Sequence, residues 1–164
     1  MGCIHIIEGP VGAGKTTFAG QLGKEFKTPP FILDDWMINL YRPDRPETDI
    51  WTWYAERKQR CLVQIWKVAL GLLDSGNQAI VELGLLRTAD RRLFCQQVES
   101  TSHTYQIYVL DLPQVDRWAR VQKRNEEKGE TFSMEVSEDV FTMASQMWEP
   151  PGAEEISELN VEFV

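Results

Sequence analysis

Cysteine is scarce in this sequence, and no cysteine pair has the spacing of a metal or redox motif. The three cysteines, Cys3, Cys61 and Cys95, are odd in number and widely separated. A disulfide framework or a zinc site needs pairs or clusters of cysteines, so both are disfavoured. We expect free, buried thiols in a reducing compartment.

Long hydrophobic runs are also missing. No apolar stretch approaches the roughly 20 residues that span a bilayer. The first apolar run, 3–7, has no basic leader and ends at the charged Glu8, so it is typical of a strand and not of a signal peptide. There is no repeat or low-complexity tract, and a chain of 164 residues suits one domain, 1–164. We expect a soluble, cytoplasmic protein that does not bind membranes.

Positive charge is in the minority. Lysine and arginine number 17 against 25 aspartates and glutamates, which gives a net charge of −8. A partner held mainly through its phosphates, such as duplex nucleic acid or an anionic membrane, needs a basic surface. The charge balance therefore disfavours nucleic acid as a partner, although it is compatible with a local basic pocket.

The segment 9–17 matches the phosphate-binding pattern G-x-x-x-x-G-K-[ST]. It follows the apolar run 3–7 and precedes the helical pattern of 18–26, so it lies between a strand and a helix, as this motif requires. Backbone N–H groups of such a loop and of the helix N-terminus bind phosphate oxygens. We expect Lys15 to contact the β- and γ-phosphates and Thr16 to ligate Mg²⁺. The predicted nucleotide-binding residues of the loop are Gly9, Val11, Gly12, Ala13, Gly14, Lys15, Thr16 and Thr17.

Apolar runs and amphipathic segments alternate along the rest of the chain. Further strands are predicted at 31–33, 79–81, 105–110 and 160–164, and further helices at 36–41, 49–73, 89–100, 114–127 and 138–147. The predicted buried stripe of the longest helix is Trp51, Tyr54, Cys61, Ile65, Val68 and Leu72. The alternation predicts an α/β fold in three layers, a parallel five-stranded sheet with helices on both faces. Together with the phosphate loop, it indicates a P-loop NTPase fold.

Carboxylates follow the predicted strands at the edge where ligands bind in such sheets. Asp34 and Asp35 follow the second strand, and Glu82 follows the third. A carboxylate facing the γ-phosphate can accept the proton of an attacking hydroxyl, and Asp34 is favoured because it directly ends its strand. The alternative is an aspartate that caps the helix 36–41. Glu82 is expected to hold Mg²⁺ through water, with a solvated strand-end carboxylate as the alternative.

Arginines on the predicted helix 114–127 form a basic cluster in an otherwise acidic chain. Arg117, Arg120 and Arg124 share one helical face. Planar guanidinium groups suit the charge that develops on a transferred phosphoryl group. We expect these three arginines to bind nucleotide phosphates, and the alternative is a solvated face paired with Glu126 and Glu127.

Three further residues are candidates for the substrate site, beside Asp35. Arg87 and Arg91 flank the start of the helix after Glu82, where they could bind substrate or pair with surface acids. Trp36 stands next to the aspartates and could line the pocket or belong to the core. The segment 36–60 is expected to form much of the acceptor pocket.

These motifs resemble a group of small P-loop kinases that includes zeta-toxin, chloramphenicol phosphotransferase and the 5′-kinase domain of polynucleotide kinase. The resemblance covers almost the whole chain and rests on the phosphate loop, Asp34-Asp35-Trp36, Arg91-Arg92, and Lys123-Arg124-Asn125 with Lys128-Gly129. It implies ATP and Mg²⁺ as cofactors and a nucleoside-kinase-like fold with a small lid at about 117–134. It also implies that Asp34 is the catalytic base and that Arg124 contacts the ATP phosphates from the lid.

Two positions depart from polynucleotide kinases. Met37 stands where those enzymes carry an arginine that grips the substrate phosphate, and Glu82 replaces the usual aspartate. The first departure, with the acidic charge, disfavours a nucleic-acid 5′-end as the substrate. The sequence predicts an ATP-dependent kinase of a small-molecule hydroxyl, with Asp34, Lys15 and Arg124 as catalytic residues. The alternatives are a nucleic-acid or nucleotide kinase and a nucleotide-dependent ATPase or switch without an acceptor.

Overall fold

Strands and helices alternate along the residues that the computed structural model describes, 1–129 and 135–164. The strands are β1 (Cys3–Glu8), β2 (Phe31–Ile32), β3 (Ala79–Glu82), β4 (Thr104–Val109) and β5 (Val161–Phe163). The helices are α1 (Lys15–Phe26), α2 (Leu33–Tyr41), α3 (Ile50–Asp74), α4 (Thr88–Glu99), α5 (Gln114–Glu127), α6 (Glu138–Gln146) and α7 (Ala153–Glu158), and a short 3₁₀ helix covers Arg42–Asp44. The end of the predicted lid, 130–134, lies outside the described residues.

The five strands form one parallel sheet in the order β2-β3-β1-β4-β5. The central strand is β1, in which Ile6 lies opposite Val81 of β3 and Ile107 of β4. A central parallel strand is covered on both faces, which is why β1 reads as a continuous apolar run. The predicted five-stranded parallel sheet is confirmed, and the phosphate loop leaves it from the middle.

Alternate side chains of β1 enter two different cores. Ile4 and Ile6 belong to a large cluster that includes buried residues of α2, α3 and α4. Ile7 belongs to a smaller cluster on the other face, with Ala19 and Leu22 of α1. Because successive strand residues point to opposite faces, this division confirms the prediction of helices on both sides of the sheet.

The second strand is shorter than predicted, because the following helix begins earlier. Leu33, predicted to end the strand, is the buried first residue of α2. Asp34 and Asp35 therefore lie in the first turn of α2, where the helix dipole favours negative charge. The residue at the cap position is Ile32, whose side chain makes no capping hydrogen bond. The alternative in which an aspartate caps this helix is wrong.

Of the predicted buried stripe of α3, only Cys61 and Ile65 are buried, whereas Val68 is exposed and Leu72 is partly buried. The buried residues of α3 are Cys61, Ile65, Ala69 and Leu73, at four-residue spacing. The first turns of α3 contain no buried residue, and Trp51 is 74% exposed. The apolar residues at the start of α3 are therefore not part of the core.

The three cysteines are free thiols, as predicted. Cys61 and Cys95 are buried and Cys3 is partly buried. Burial raises the pKa of each thiol, that of Cys95 to about 12. No helix within 1–129 or 135–164 is long and apolar enough to cross a membrane.

A buried ion pair holds the short helix α7, which was not predicted, against the start of α4. Arg91 donates from Nε to Glu155 Oε1 at 2.6 Å and from Nη2 to Oε2 at 2.9 Å, and both residues are at most 2% exposed. Arg91 also donates to the backbone carbonyls of Leu85, Leu86 and Glu149. Because these contacts occupy the guanidinium, we assign Arg91 to the fold and correct its prediction as a substrate ligand.

We predict that Glu155→Ala lowers the free energy of unfolding by about 3–5 kcal/mol, since it leaves the Arg91 charge buried without its partner. A neighbouring pair between the same two helices, Arg92 with Glu158 at 2.6 Å, is solvent-exposed and provides the control. Glu158→Ala is expected to cost less than about 1 kcal/mol. Urea denaturation measures both, and equal losses would contradict the assignment.

Candidate active site

The phosphate loop between β1 and α1 is shaped by glycines in positive-φ conformations. Gly12 has a φ of 80° and Gly14 has a φ of 100°, values that residues other than glycine rarely adopt. A Cβ atom on Gly12 would also lie 2.7 Å from the carbonyl oxygen of Arg117 in α5. Glycine is therefore needed at position 12 both for the turn and for the close approach of α5.

Lys15 and Thr16, at the end of this loop, meet Glu82 of β3. Lys15 Nζ donates to the Pro10 carbonyl at 3.1 Å and lies 3.9 Å from Glu82 Oε1. The Thr16 hydroxyl donates to Glu82 Oε2 at 3.1 Å. Burial raises the pKa of Glu82, an effect that the nearby Lys15 charge opposes. The two predicted metal ligands, Thr16 and Glu82, are thus in direct contact.

The chemistry of this pair fits Mg²⁺. The ion prefers oxygen ligands and usually combines one or two protein groups with waters and substrate phosphates. No group of three or more His, Cys, Asp or Glu residues suited to a metal occurs in the described part of the chain. Thr16 and Glu82 would hold the ion beside a phosphate bound in the loop.

Glu8, the last residue of β1, is fully buried directly before the loop. Its Oε2 accepts a hydrogen bond from the Leu85 N–H at 3.1 Å, and its Oε1 has no partner among the described residues. Burial raises the pKa of Glu8 to about 8, although the charges of Lys15 and Arg91 act in the opposite direction. Glu8 is therefore a mainly neutral carboxylic acid at pH 7, and it joins the end of β1 to the segment after β3.

The three arginines predicted on one face of α5 divide into two kinds. Arg117 is buried and donates to the carbonyls of Val11 and Leu112 and to the Ser145 hydroxyl. Its guanidinium lies over the ring of Phe141 at 5.3 Å, and burial lowers its pKa. Arg117 thus braces the phosphate loop through the backbone, and its side chain is not directed at a phosphate. This corrects its assignment as a phosphate ligand.

The other two arginines of α5 line the cavity beside the loop. Arg120 Nη1 lies 3.5 Å from the Ala13 carbonyl oxygen. Arg124 also lines the cavity, and its buried Nε has no hydrogen-bond partner within the described ranges. An arginine with an unused buried donor next to a phosphate loop is suited to bind an anionic oxygen.

One cavity of about 770 Å³ joins the phosphate loop to α2 and α3. Of the predicted loop residues, those that line it are Val11, Gly12, Gly14, Lys15, Thr16 and Thr17. The wall formed by α2 and α3 is lined by Leu33, Asp34, Asp35, Ile38, Asn39, Trp51, Tyr54 and Lys58. The cavity therefore places the carboxylates of α2 and the cations of the loop in one enclosed space.

The aspartates face this space, whereas most other predicted substrate residues do not. Burial and the adjacent Asp34 charge raise the pKa of Asp35. Trp36 packs its ring against Phe31, at 6.2 Å between centroids, and is absent from the cavity lining. Arg87, in the cap position of α4, is also outside the lining. Neither therefore lies where the sequence placed it, at the acceptor pocket.

The residues that replace them in the cavity are Trp51, Tyr54 and Lys58 of α3. A signal for them was present in the sequence, because positions 51, 54 and 58 lie on one face of a helix at three- and four-residue spacing. The segment 36–60 was expected to form much of the acceptor pocket, but Trp51 and Tyr54 were individually predicted in the buried stripe and Lys58 had no assigned role. The missing information was that the first turns of α3 pack against α2 and leave this face open.

The fold and the loop define a P-loop protein with the architecture of small kinases. The chain belongs to the AAA domain family, whose sequence model matches residues 4–151. This membership and the structural neighbours below confirm the resemblance to small P-loop kinases. No curated protein matches the sequence at a significant level.

Solved structures show the same fold at low sequence identity. The chain matches one chain of the Pnkp1/Rnl/Hen1 RNA repair complex with 17% identity and a TM-score of 0.66. The match covers 88% of the present chain but only 43% of the chain in the complex. It matches a sugar kinase from Janibacter sp. HTCC2649 with 16% identity and a TM-score of 0.64, over 99% and 83% of the two chains. It matches a gluconokinase from Sinorhizobium meliloti 1021 with 16% identity and a TM-score of 0.61, over 99% and 81%.

The buried acid Glu8 predicts a pH-dependent stability. An unfolded glutamate ionises near pH 4.5, whereas Glu8 in the native state holds its proton up to about pH 8. Between these two pH values the native state binds more protons than the unfolded state does. The free energy of unfolding therefore falls as pH rises, by up to about 1.4 kcal/mol per pH unit.

Glu8→Gln removes this titration while keeping the size of the side chain. We expect a flatter dependence of the unfolding free energy on pH from about 4.5 to 8, measured by denaturation across that range. Glu47→Gln, at an exposed position, is the control and should retain the wild-type slope. Parallel curves for wild type and Glu8→Gln would contradict a neutral Glu8.

Proposed function

We propose that this protein is an ATP-dependent kinase that transfers the γ-phosphoryl group to a hydroxyl of a small molecule. The observation that carries the proposal is the shared cavity, in which Asp34 and Asp35 of α2 lie across from the phosphate loop. A phosphate-binding loop alone is compatible with hydrolysis or switching. A carboxylate facing it supplies the base that transfer to an alcohol requires.

The phosphate end of the site binds and holds the nucleotide. Backbone N–H groups of the loop and the N-terminus of α1 bind phosphate oxygens. Lys15, already oriented by the Pro10 carbonyl, reaches the β- and γ-phosphates. Thr16 and Glu82 would hold Mg²⁺, which would supply positive charge to the phosphates.

The acceptor end activates the hydroxyl. Asp34 accepts the hydroxyl proton while the oxygen attacks the γ-phosphorus in line, and the bond to the β–γ bridging oxygen breaks to release ADP. Arg120 and Arg124 stabilise the charge on the oxygens of the transferred group. Asp35, whose pKa is raised by burial and by the adjacent Asp34 charge, is the second candidate for the base.

The structural neighbours support a small acceptor. Two of them, a sugar kinase and a gluconokinase, match 99% of this chain, so a polyol is the first class of acceptor to test. A cytoplasmic enzyme would meet both ATP and such metabolites.

A nucleic-acid kinase is the second candidate, since the RNA repair complex is also a neighbour. Met37, at the position that carries a phosphate-binding arginine in polynucleotide kinases, is 6% exposed and belongs to the core. No cation replaces that arginine at the same position, which favours the small acceptor.

We predict that Asp34→Asn lowers kcat for transfer by roughly 10²- to 10⁴-fold, the usual contribution of a general base, while ATP binding is unchanged. Lys15→Ala is expected to weaken both ATP binding and transfer. The measurement is ADP release with Mg²⁺ over a panel of alcohols, together with calorimetric titration of ATP.

Asp90→Asn, at an exposed position on α4, is the matched control and should leave kcat unchanged. Wild-type kcat for transfer in Asp34→Asn, together with loss of transfer in Lys15→Ala, would contradict the assignment of Asp34 as the base. Slow ATP hydrolysis that no alcohol or oligonucleotide accelerates would identify an ATPase or switch instead of a kinase.

A further inference from the structure

One face of α3 projects into the cavity and has no part in the transfer chemistry. Trp51, Tyr54 and Lys58 lie at three- and four-residue spacing on that face, and all three line the cavity. The first turns of α3 bury no residue against the core. These side chains are therefore available to a ligand that enters beside α2.

Lys58 is the one cation on the wall that α2 and α3 form among the described residues. The other lysine and the arginines of the lining, Lys15, Arg120 and Arg124, belong to the phosphate loop and α5. Lys58 makes no ion pair or hydrogen bond within the part of the chain described here, although Asp34 and Asp35 line the same cavity. A half-buried ammonium group without a partner is suited to bind an anion.

Tyr54 relates Lys58 to the proposed base. Tyr54 and Asp34 line the same cavity. Desolvation and then the Asp34 charge raise the pKa of Tyr54 to about 12, so the phenol remains a hydrogen-bond donor at neutral pH. Lys58 follows Tyr54 by four residues, one helical turn or about 6 Å along the axis of α3. The wall thus has an acidic position at Asp34 and a basic position about one turn beyond Tyr54.

We propose that Lys58 binds an anionic group, a carboxylate or a phosphate, on an acceptor whose reacting hydroxyl faces Asp34. The inference rests on the proposed kinase function and names its acceptor class. Asp34 and Asp35 repel the anionic end and Lys58 attracts it, so the acceptor enters in a single orientation with its hydroxyl towards the base.

An anionic acceptor fits this wall better than a neutral or an amino acceptor. A neutral alcohol would cover Lys58 without supplying an anionic partner for its charge. An amine would be attracted by the aspartates but would then occupy the position of the reacting hydroxyl. Only the anionic acceptor satisfies both ends of the wall at once.

The test compares acceptors that share a carbon skeleton and differ in the charge of one substituent. The first series is glucose, gluconate, glucose 6-phosphate and glucosamine, and the second is glycerol, glycerate and glycerol phosphate. Binding is measured by calorimetry with Mg²⁺ and a non-hydrolysable ATP analogue, and transfer by ADP release with ATP. We expect an acid or a phosphate ester to bind at least about 10-fold more tightly than its neutral and amino counterparts. Whichever of the two binds identifies the anionic group as carboxylate or phosphate.

Lys58→Met is expected to raise KM for that acceptor by roughly 10- to 100-fold with little change in kcat, because the anion lies away from the reacting atoms. Lys58→Arg should restore part of the affinity. Lys67→Met, at an exposed position on the same helix and outside the cavity, should match the wild type.

Three results would overturn the inference. They are a preference for neutral or amino acceptors, an unchanged KM in Lys58→Met, and the absence of binding by every anionic member of both series. Preferential transfer to a neutral alcohol, with KM unchanged in Lys58→Met, would refute the role of Lys58 while the proposed kinase function stands. Binding of an anionic alcohol through Lys58 without any transfer would refute the kinase function while the binding site stands.

Discussion

The site depends on the close packing of α5 against the phosphate loop. The Arg117 side chain donates to the backbone carbonyl of Val11, within the loop. The backbone carbonyl of Arg117 leaves no room for a side chain at Gly12. These contacts fix α5 at a distance where the next turns of the helix, with Arg120 and Arg124, lie beside the loop. A buried arginine thus holds in place the two arginines that remain available to phosphate, and the three guanidinium groups of one face have different roles.

Charge is separated along the cavity that this packing encloses. The loop and α5 contribute cations, and the start of α2 contributes Asp34 and Asp35. Between them stands Glu82, in contact with both Lys15 and Thr16. In a chain of net charge −8, the phosphate-binding groups are concentrated on one side of a single cavity. Under the proposed function, a triphosphate beside the loop and an alcohol beside α2 would meet within this cavity.

Much of the architecture could be predicted, because it follows from local signals. The predicted bounds of α5 and the predicted start of α6 at residue 138, where Ser137 caps the helix, were both correct, since periodicity and capping act within a few residues. The contacts of Arg91 and Arg117 were not predictable. Each guanidinium is used by elements far away in the sequence, Glu155 in one case and Val11 in the other. An arginine pattern cannot distinguish a buried brace from a phosphate ligand, because both use the same donors.

The amino-acid sequence alone was sufficient for the phosphate loop, for the parallel sheet and for the carboxylates at its edge. Each of these depends on a residue pattern and its immediate neighbours. Tertiary structure decided which side chains share the cavity. In the folded chain Trp36 packs against Phe31 and does not line the cavity, whereas the face of α3 that carries Lys58 does line it. The reason is geometric, since an exposed apolar face and a buried one have the same helical spacing until the packing partner of the helix is known.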